Sequence, residues 1–210
     1  MPIDKVIRST ASLEERLKKV NILIADNDLK IGELVKSILN TLGFSWVTLV
    51  QDGYQAMDVL SENQTDLLIA DWDLRPCEVL DSSITRAKAA SNSGKPRWKK
   101  YPPINGLALV ECIRHAAASP NPFLPVVMLT PPARQSVVYA ARDAGVNEIL
   151  VKPLNAYTLS ERIISVIEHP RIFVTSDHYK GPCRRRKFES RPGKPERRKR
   201  TIQVIRFSGM

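Results

Sequence analysis

Residues 20–28 read VNILIADND, a continuous apolar run that ends abruptly in three polar residues, two of which are aspartates. A strand that is apolar on both faces is typical of the interior of a parallel sheet, where helices cover each face. The next segment, residues 29–42, carries apolar side chains at helical spacing, and Gly43 ends this stripe. The fold class follows from this unit of one strand and one helix.

The same unit recurs along the chain. Further strands are predicted at residues 45–50, 66–70, 124–130 and 148–151, and further helices at 54–60, 107–117, 134–144 and 159–167. Strands that alternate with helices are joined by right-handed crossovers, so the helices cover both faces of the sheet. The sequence therefore predicts an α/β fold with a doubly wound, parallel, five-stranded sheet.

Three segments lie outside this rhythm. A short helix is predicted over residues 12–19, and residues 77–104 are too long for an ordinary connection. The stretch from Pro170 onwards is basic and rich in proline, and we predict a mostly irregular tail in which only residues 202–207 could pair as a strand. The predicted organisation is an N-terminal lead-in (1–19), a main domain (20–169) with an inserted loop (77–104), and a basic tail (170–210).

The net charge of +10 is confined to the tail. Residues 170–210 contain 13 Lys or Arg and 3 Asp or Glu, whereas the remainder has 19 of each. Three functions of the tail stay open: contact with an acidic protein, solubility or folding back on the neutral domain, and nucleic-acid binding through residues 180–206. Neither a reading helix nor a zinc pattern supports nucleic-acid binding.

The cellular setting follows from composition. The three cysteines are scattered, which favours a reducing compartment over a disulfide framework. No run of 18 apolar residues occurs, so we expect no membrane insertion. The first residues lack the apolar segment of a secretory signal, and we expect a cytoplasmic protein.

Polar residues stand where the predicted strands end. They are Asp26 with Asn27, Asp71, Thr130 and Lys152. Ligands of doubly wound sheets bind beyond the carboxyl ends of the strands, so these side chains should meet in one pocket. Two close carboxylates favour Mg²⁺, and a carboxylate can attack phosphorus to form an aspartyl phosphate that a hydroxyl and an ammonium stabilise.

Each of these residues also has a simpler explanation. Asp26 or Asp71 could only cap the following helix, and Thr130 could be a turn residue before Pro131. Lys152 could be a surface lysine. Asn27 could serve a turn or hold a metal-bound water.

Four segments together resemble the signature blocks of response-regulator receivers. They read ILIADN (22–27), LIADWD (68–73), VMLT (127–130) and VKPL (151–154). The similarity is greatest to chemotaxis-type single-domain regulators and spans about residues 20–168, with Asn105-Gly106 resembling the turn after the phosphorylation loop. The resemblance implies a flavodoxin-like sheet in the order 2-1-3-4-5.

The resemblance also implies a role for each residue of the pocket. Asp71 would be the phosphoacceptor, with Thr130 and Lys152 as its catalytic companions. Mg²⁺ would be the cofactor, bound by Asp26, Asn27, Asp71 and the backbone carbonyl of Asp73. The bond between Lys152 and Pro153 would be cis, which proline permits at low cost.

The implied partners are a histidine kinase or phosphotransfer protein as donor and a downstream protein as target. The chain would accept a phosphoryl group, with slow self-dephosphorylation, and would not be an enzyme acting on other substrates.

The sequence departs from the family pattern in three places. Asn27 stands where a second acid is common, which should weaken Mg²⁺ binding. Ile149 occupies the position of the usual switch aromatic, so signalling by an aromatic rotamer change is in doubt. The insertion follows the acceptor loop and could gate access or dock a partner. A degenerate receiver that acts as a scaffold without phosphorylation is therefore the alternative hypothesis.

Overall fold

The structure is a computed structural model that describes residues 13–74, 105–116, 119–132, 135–176, 179–184 and 201–203. The predicted insertion (77–104) and most of the basic tail lie outside the described residues. The lead-in helix, predicted over 12–19, is observed over 13–17. No helix among the described residues is long and apolar enough to cross a membrane.

A five-stranded parallel sheet forms the centre of the molecule. Its strands are β1 (Asn21–Ala25), β2 (Trp46–Val50), β3 (Leu67–Asp71), β4 (Val126–Thr130) and β5 (Glu148–Val151). They are ordered β2-β1-β3-β4-β5, and every neighbouring pair is parallel. The predicted fold class and strand order are confirmed.

Besides the short lead-in helix, five longer helices among the described residues cover the two faces of the sheet. They are α1 (Leu29–Thr41), α2 (Gly53–Glu62), α3 (Gly106–His115), α4 (Gln135–Ala144) and α5 (Ala156–Glu168). Side chains of β1 alternate between the faces: Leu23 packs with α2 and α3, and Ile24 packs with α1 and α5. Because both faces are covered, β3 and β4 are buried at every position.

Asx side chains begin four of these helices. Asp28, Asp52, Asn105 and Asn155 are the N-caps of α1, α2, α3 and α5, and each side chain accepts a backbone N–H of the first turn. These bonds satisfy donors that a helix leaves unpaired at its N-terminus. The caps fix where each helix leaves the carboxyl edge of the sheet.

The start of the tail forms strands, although the sequence predicted a mostly irregular segment from residue 170 onwards. Strands β6 (Phe173–Ser176) and β7 (Tyr179–Pro182) form an antiparallel pair, and β8 (Thr201–Gln203) pairs with the other edge of β6. The β8 strand begins one residue before the stretch (202–207) that was predicted as able to pair and overlaps it at residues 202 and 203, while 204–207 lie beyond the described residues. We call residues 171–184 the C-terminal extension.

A buried arginine attaches this extension to the sheet domain. Arg114, on α3, donates hydrogen bonds to the carbonyls of Gly145 (2.9 and 3.2 Å) and Pro122 (3.0 Å). Its guanidinium lies over the ring of Phe173, 5.0 Å from the centroid. Burial lowers the pKa of Arg114 to about 9, an effect that Tyr179 partly opposes. Carbonyl dipoles and an aromatic face thus hold a fully buried charge.

Close backbone contact supports the same junction. Gly145, at the end of α4, has a φ of +94°, and a Cβ there would lie 2.6 Å from the carbonyl oxygen of Lys180. Only glycine combines that backbone conformation with so near an approach. Phe173 is fully buried and packs edge-on against Phe123, with centroids 5.8 Å apart.

We predict that Phe173→Ala lowers the free energy of unfolding by about 3–5 kcal/mol, because it removes a fully buried ring and exposes the Arg114 charge. Val174→Ala, which truncates the half-buried next residue, is the matched control and should cost far less. Chemical denaturation of the two variants measures both. Equal small losses would mean that the extension does not belong to the folded unit.

Candidate functional site

Asp26 follows β1 and is fully buried. Its backbone N–H donates to the carbonyl of Val50, which continues the ladder by one residue. The carboxylate accepts the N–H of Asp28 at 2.9 Å, whereas the side chain of Asp28 caps α1. The interpretation of Asp26 as the helix cap is therefore wrong, and Asp26 remains available at the edge of the sheet.

Asp71 is the last residue of β3, with only 3% of its surface exposed. The start of α3 packs directly on its backbone, since a Cβ on Gly106 would lie 2.0 Å from the carbonyl oxygen of Asp71. The N–H of Gly106 donates to the carbonyl of Trp72 at 3.1 Å. Trp72 and Gly106, which flank the predicted insertion in sequence, are thus held together beside Asp71.

Lys152 connects the two buried acids. Its ammonium lies 2.8 Å from Asp71 Oδ1 and 3.1 Å from Asp26 Oδ2. The bond between Lys152 and Pro153 is cis, as the resemblance implied. Because the lysine reaches across from beyond β5 to β1 and β3, the structure excludes the interpretation of Lys152 as a free surface side chain.

Thr130 ends β4 at the same edge and is buried. Leu129, the residue before Thr130, pairs in register with Asp71. The N–H of Lys152 donates to the carbonyl of Thr130 at 2.7 Å. The Thr130 hydroxyl donates to the carbonyl of Pro131 at 3.1 Å. The geometry therefore brings Asp26, Asp71, Thr130 and Lys152 to one edge, and we call this group the acidic pocket.

The electrostatics of the pocket are those of two acids that share one base. Burial raises the pKa of Asp71; the hydrogen bond from Lys152 opposes this, and the charges of Asp26 and Asp73 add to it. Burial alone would lower the pKa of Lys152, but contact with Asp71 and Asp26 raises it overall. The pocket therefore keeps its ammonium and carries an excess negative charge when both acids ionise.

The donor set suits a hard divalent cation. Two carboxylates with one ammonium leave a net negative charge, and Mg²⁺ is typically held by one or two carboxylates while it keeps several waters. The described residues contain no cluster of three or more His, Cys, Asp or Glu that would form a closed metal cage. Such a pocket fits a partly hydrated ion.

Comparisons with known proteins show which proteins this chain resembles. No protein-family model matches the chain. The sequence is 28% identical over 151 residues to chemotaxis protein CheY-3 of Vibrio cholerae, covering 72% of this chain and 94% of that protein. It is 28% identical over 149 residues to chemotaxis protein CheY of Pseudomonas aeruginosa, covering 71% and 97%.

Solved structures show the same fold. Chemotaxis response regulator CheY4 of Vibrio cholerae superposes with a TM-score of 0.53 at 22% identity, covering 70% of this chain and 98% of that one. The receiver domain of NtrX from Brucella abortus gives a TM-score of 0.51 at 23% identity, covering 71% and 99%. The chain carries a CheY-like response-regulator receiver domain. The part of this chain that aligns with these proteins is the receiver domain.

The departures from the receiver pattern have distinct surroundings. Asn27 is exposed beside the buried Asp26, and Asp73 is exposed beyond Asp71. Ile149 is half-buried and packs on the cluster shared with α2 and α3. Whether Asn27 or the Asp73 carbonyl contacts a metal stays a prediction.

Two residues that organise the site escaped the sequence analysis. Gly106 was noted only as part of a turn, whereas its missing side chain is what lets α3 begin against Asp71. Asp28 was not singled out, although its cap fixes the start of α1 and leaves Asp26 free. An Asp immediately before a helical stripe was the available signal for the cap.

We predict that Asp71→Asn raises the melting temperature at neutral pH without Mg²⁺. Because the pKa of Asp71 is raised on folding, its contribution to stability is greatest below the ordinary aspartate pKa and falls as the pH rises through the folded value. Asparagine keeps the shape and removes the buried charge. Thermal denaturation should show a gain at pH 7 that shrinks near pH 4.

Asp73→Asn is the control, since it removes an exposed charge from the same loop. It should change the melting temperature little. A loss of stability in Asp71→Asn at both pH values would show that the ion pair with Lys152 outweighs the burial of the carboxylate.

Proposed function

We propose that this chain is a phosphoacceptor of a two-component phosphorelay and that Asp71 receives the phosphoryl group. The observation that carries the proposal is a buried strand-end aspartate held 2.8 Å from an ammonium that a second buried aspartate shares. A nucleophile that is shielded from bulk water and has a cation fixed beside it is arranged for attack on phosphorus.

The proposed reaction begins with a phosphohistidine of a kinase or phosphotransfer protein. A carboxylate oxygen of Asp71 attacks phosphorus, an O–P bond forms, and the N–P bond to the donor imidazole breaks. The electron pair of that bond leaves with the imidazole, which is released neutral or takes a proton from water. The product is an acyl phosphate on Asp71.

The neighbouring groups stabilise the transferred oxygens. Lys152 is already fixed by Asp26, so its ammonium needs no reorganisation to contact an added phosphoryl oxygen. The Thr130 hydroxyl donates only to the adjacent Pro131 carbonyl and can turn from it to a phosphoryl oxygen. A Mg²⁺ ion held by Asp26, Asp71 and the Asp73 carbonyl would neutralise the charge on the attacked oxygens.

Output is proposed to occur by contact with a downstream protein, since the described residues beyond the receiver form only the small β6–β8 sheet. The chain thereby acts as a substrate in its own phosphorylation and not as an enzyme on other molecules.

Acetyl phosphate with Mg²⁺ should add one phosphoryl group to the full chain, detected by intact mass spectrometry. Asp71→Asn should abolish the gain, because the attacking oxygen is lost. Asp73→Asn is the matched control: it retains the backbone carbonyl and should still be phosphorylated. A phosphoryl group that persists in Asp71→Asn would refute the assignment, and an unmodified wild-type chain would favour a scaffold.

Asn27→Asp should strengthen Mg²⁺ binding by roughly tenfold, because it adds a carboxylate to a pocket whose cation affinity depends on ligand charge. Isothermal titration calorimetry measures the change. Asn40→Asp makes the same charge change at the exposed far end of α1 and should leave the affinity near the wild-type value. Equal affinities for all three proteins would place the cation away from residue 27.

A further inference from the structure

A second cleft lies at the opposite end of the sheet from the acidic pocket. It has a volume of about 370 Å³ and is formed by α5, the beginning of β5 and the C-terminal extension. Its polar lining includes Glu148, Arg162, Ser165, His169 and Arg171. Since the extension supplies one wall, the receiver alone would not form this cleft.

The charge of the cleft is positive. Arg171 donates to the carbonyls of Asn147 (3.1 Å) and Cys183, and these hydrogen bonds fix its guanidinium. Because both acceptors are neutral carbonyls, they do not compensate its positive charge. Arg162 lies 3.9 Å from Glu148, beyond hydrogen-bond distance. Two guanidiniums therefore face one carboxylate, and an anion would find an excess of donors.

The rest of the lining limits what the anion can be. Ser165 and His169 are exposed and offer further polar groups, while Val166, Pro170 and Ile172 provide an apolar wall. The volume is near the lower limit of small-molecule sites and far too small for a folded partner. The chemistry therefore favours a compact organic anion over an inorganic one.

We propose that this cleft is a binding site for a small organic anion, a carboxylate or a phosphate ester, whose oxyanion contacts Arg162 and Arg171 and whose body packs on Ile172. The site is separate from Asp71 and does not depend on phosphorylation.

The test is a titration of the full chain, in EDTA and at constant ionic strength, with three probes. Phenyl phosphate and benzoate carry the same apolar body on different oxyanions, and inorganic phosphate lacks the body. The ring resonances of His169, assigned by their loss in His169→Gln, report binding at the cleft by NMR. At least one aromatic probe should saturate and should bind more tightly than inorganic phosphate.

Arg162→Gln should weaken binding of that probe about tenfold, since this half-exposed arginine is not among the groups that anchor the extension. Arg142→Gln removes an exposed arginine from α4, outside the cleft, and should bind like the wild type. The proposal is overturned if neither aromatic probe saturates, if Arg162→Gln binds the tighter probe as the wild type does, or if inorganic phosphate binds as tightly as the tighter aromatic probe. The relative affinities of phenyl phosphate and benzoate decide which oxyanion the site prefers.

Discussion

Two buried carboxylates share one ammonium, and the arrangement of the receiver's pocket depends on this imbalance of charge. Removing an ionised acid from water is costly unless a partner compensates it, and here Lys152 compensates two. The parallel sheet makes the arrangement available, because β1, β3 and β5 end at the same edge and bring together residues more than 120 positions apart in sequence. The excess charge is a cost to the fold and, in the proposed function, the attraction for a cation.

The residues of this site that could be predicted are those whose position follows from a single strand. An apolar run such as 20–25 has only one environment that suits it, and the residue where the run stops must face the edge of the sheet. Asp26, Asp71, Thr130 and Lys152 could therefore be placed from the sequence. The cap of α1 was not identified, although Asp28 stands immediately before the helical stripe, because Asp26 is the same residue type two positions earlier and only the path of the backbone separates their roles.

The C-terminal extension shows where local patterns fail. It belongs to a basic, proline-rich tail whose composition is typical of disorder, and its strands are only four residues long. The contacts that order the extension involve residues distant in sequence. Phe173 packs beneath an arginine of α3, and Gly181 approaches Gly145. The burial of Arg114 could not be predicted either, because an arginine in the last turn of a helix is usually solvated and interacts favourably with the helix dipole.

Asn27 can be understood from the same charge imbalance. A third acid beside Asp26 and Asp71 would hold a divalent cation more firmly, but without the cation it would set three negative charges against one ammonium. In the proposed function, an amide at this position would keep an oxygen for a metal-bound water and would add no negative charge to the metal-free protein. In the proposed function, Asn27 would therefore exchange cation affinity for stability of the metal-free pocket, while the contact between Lys152 and Asp71, on which the proposed phosphoryl transfer depends, stays in place.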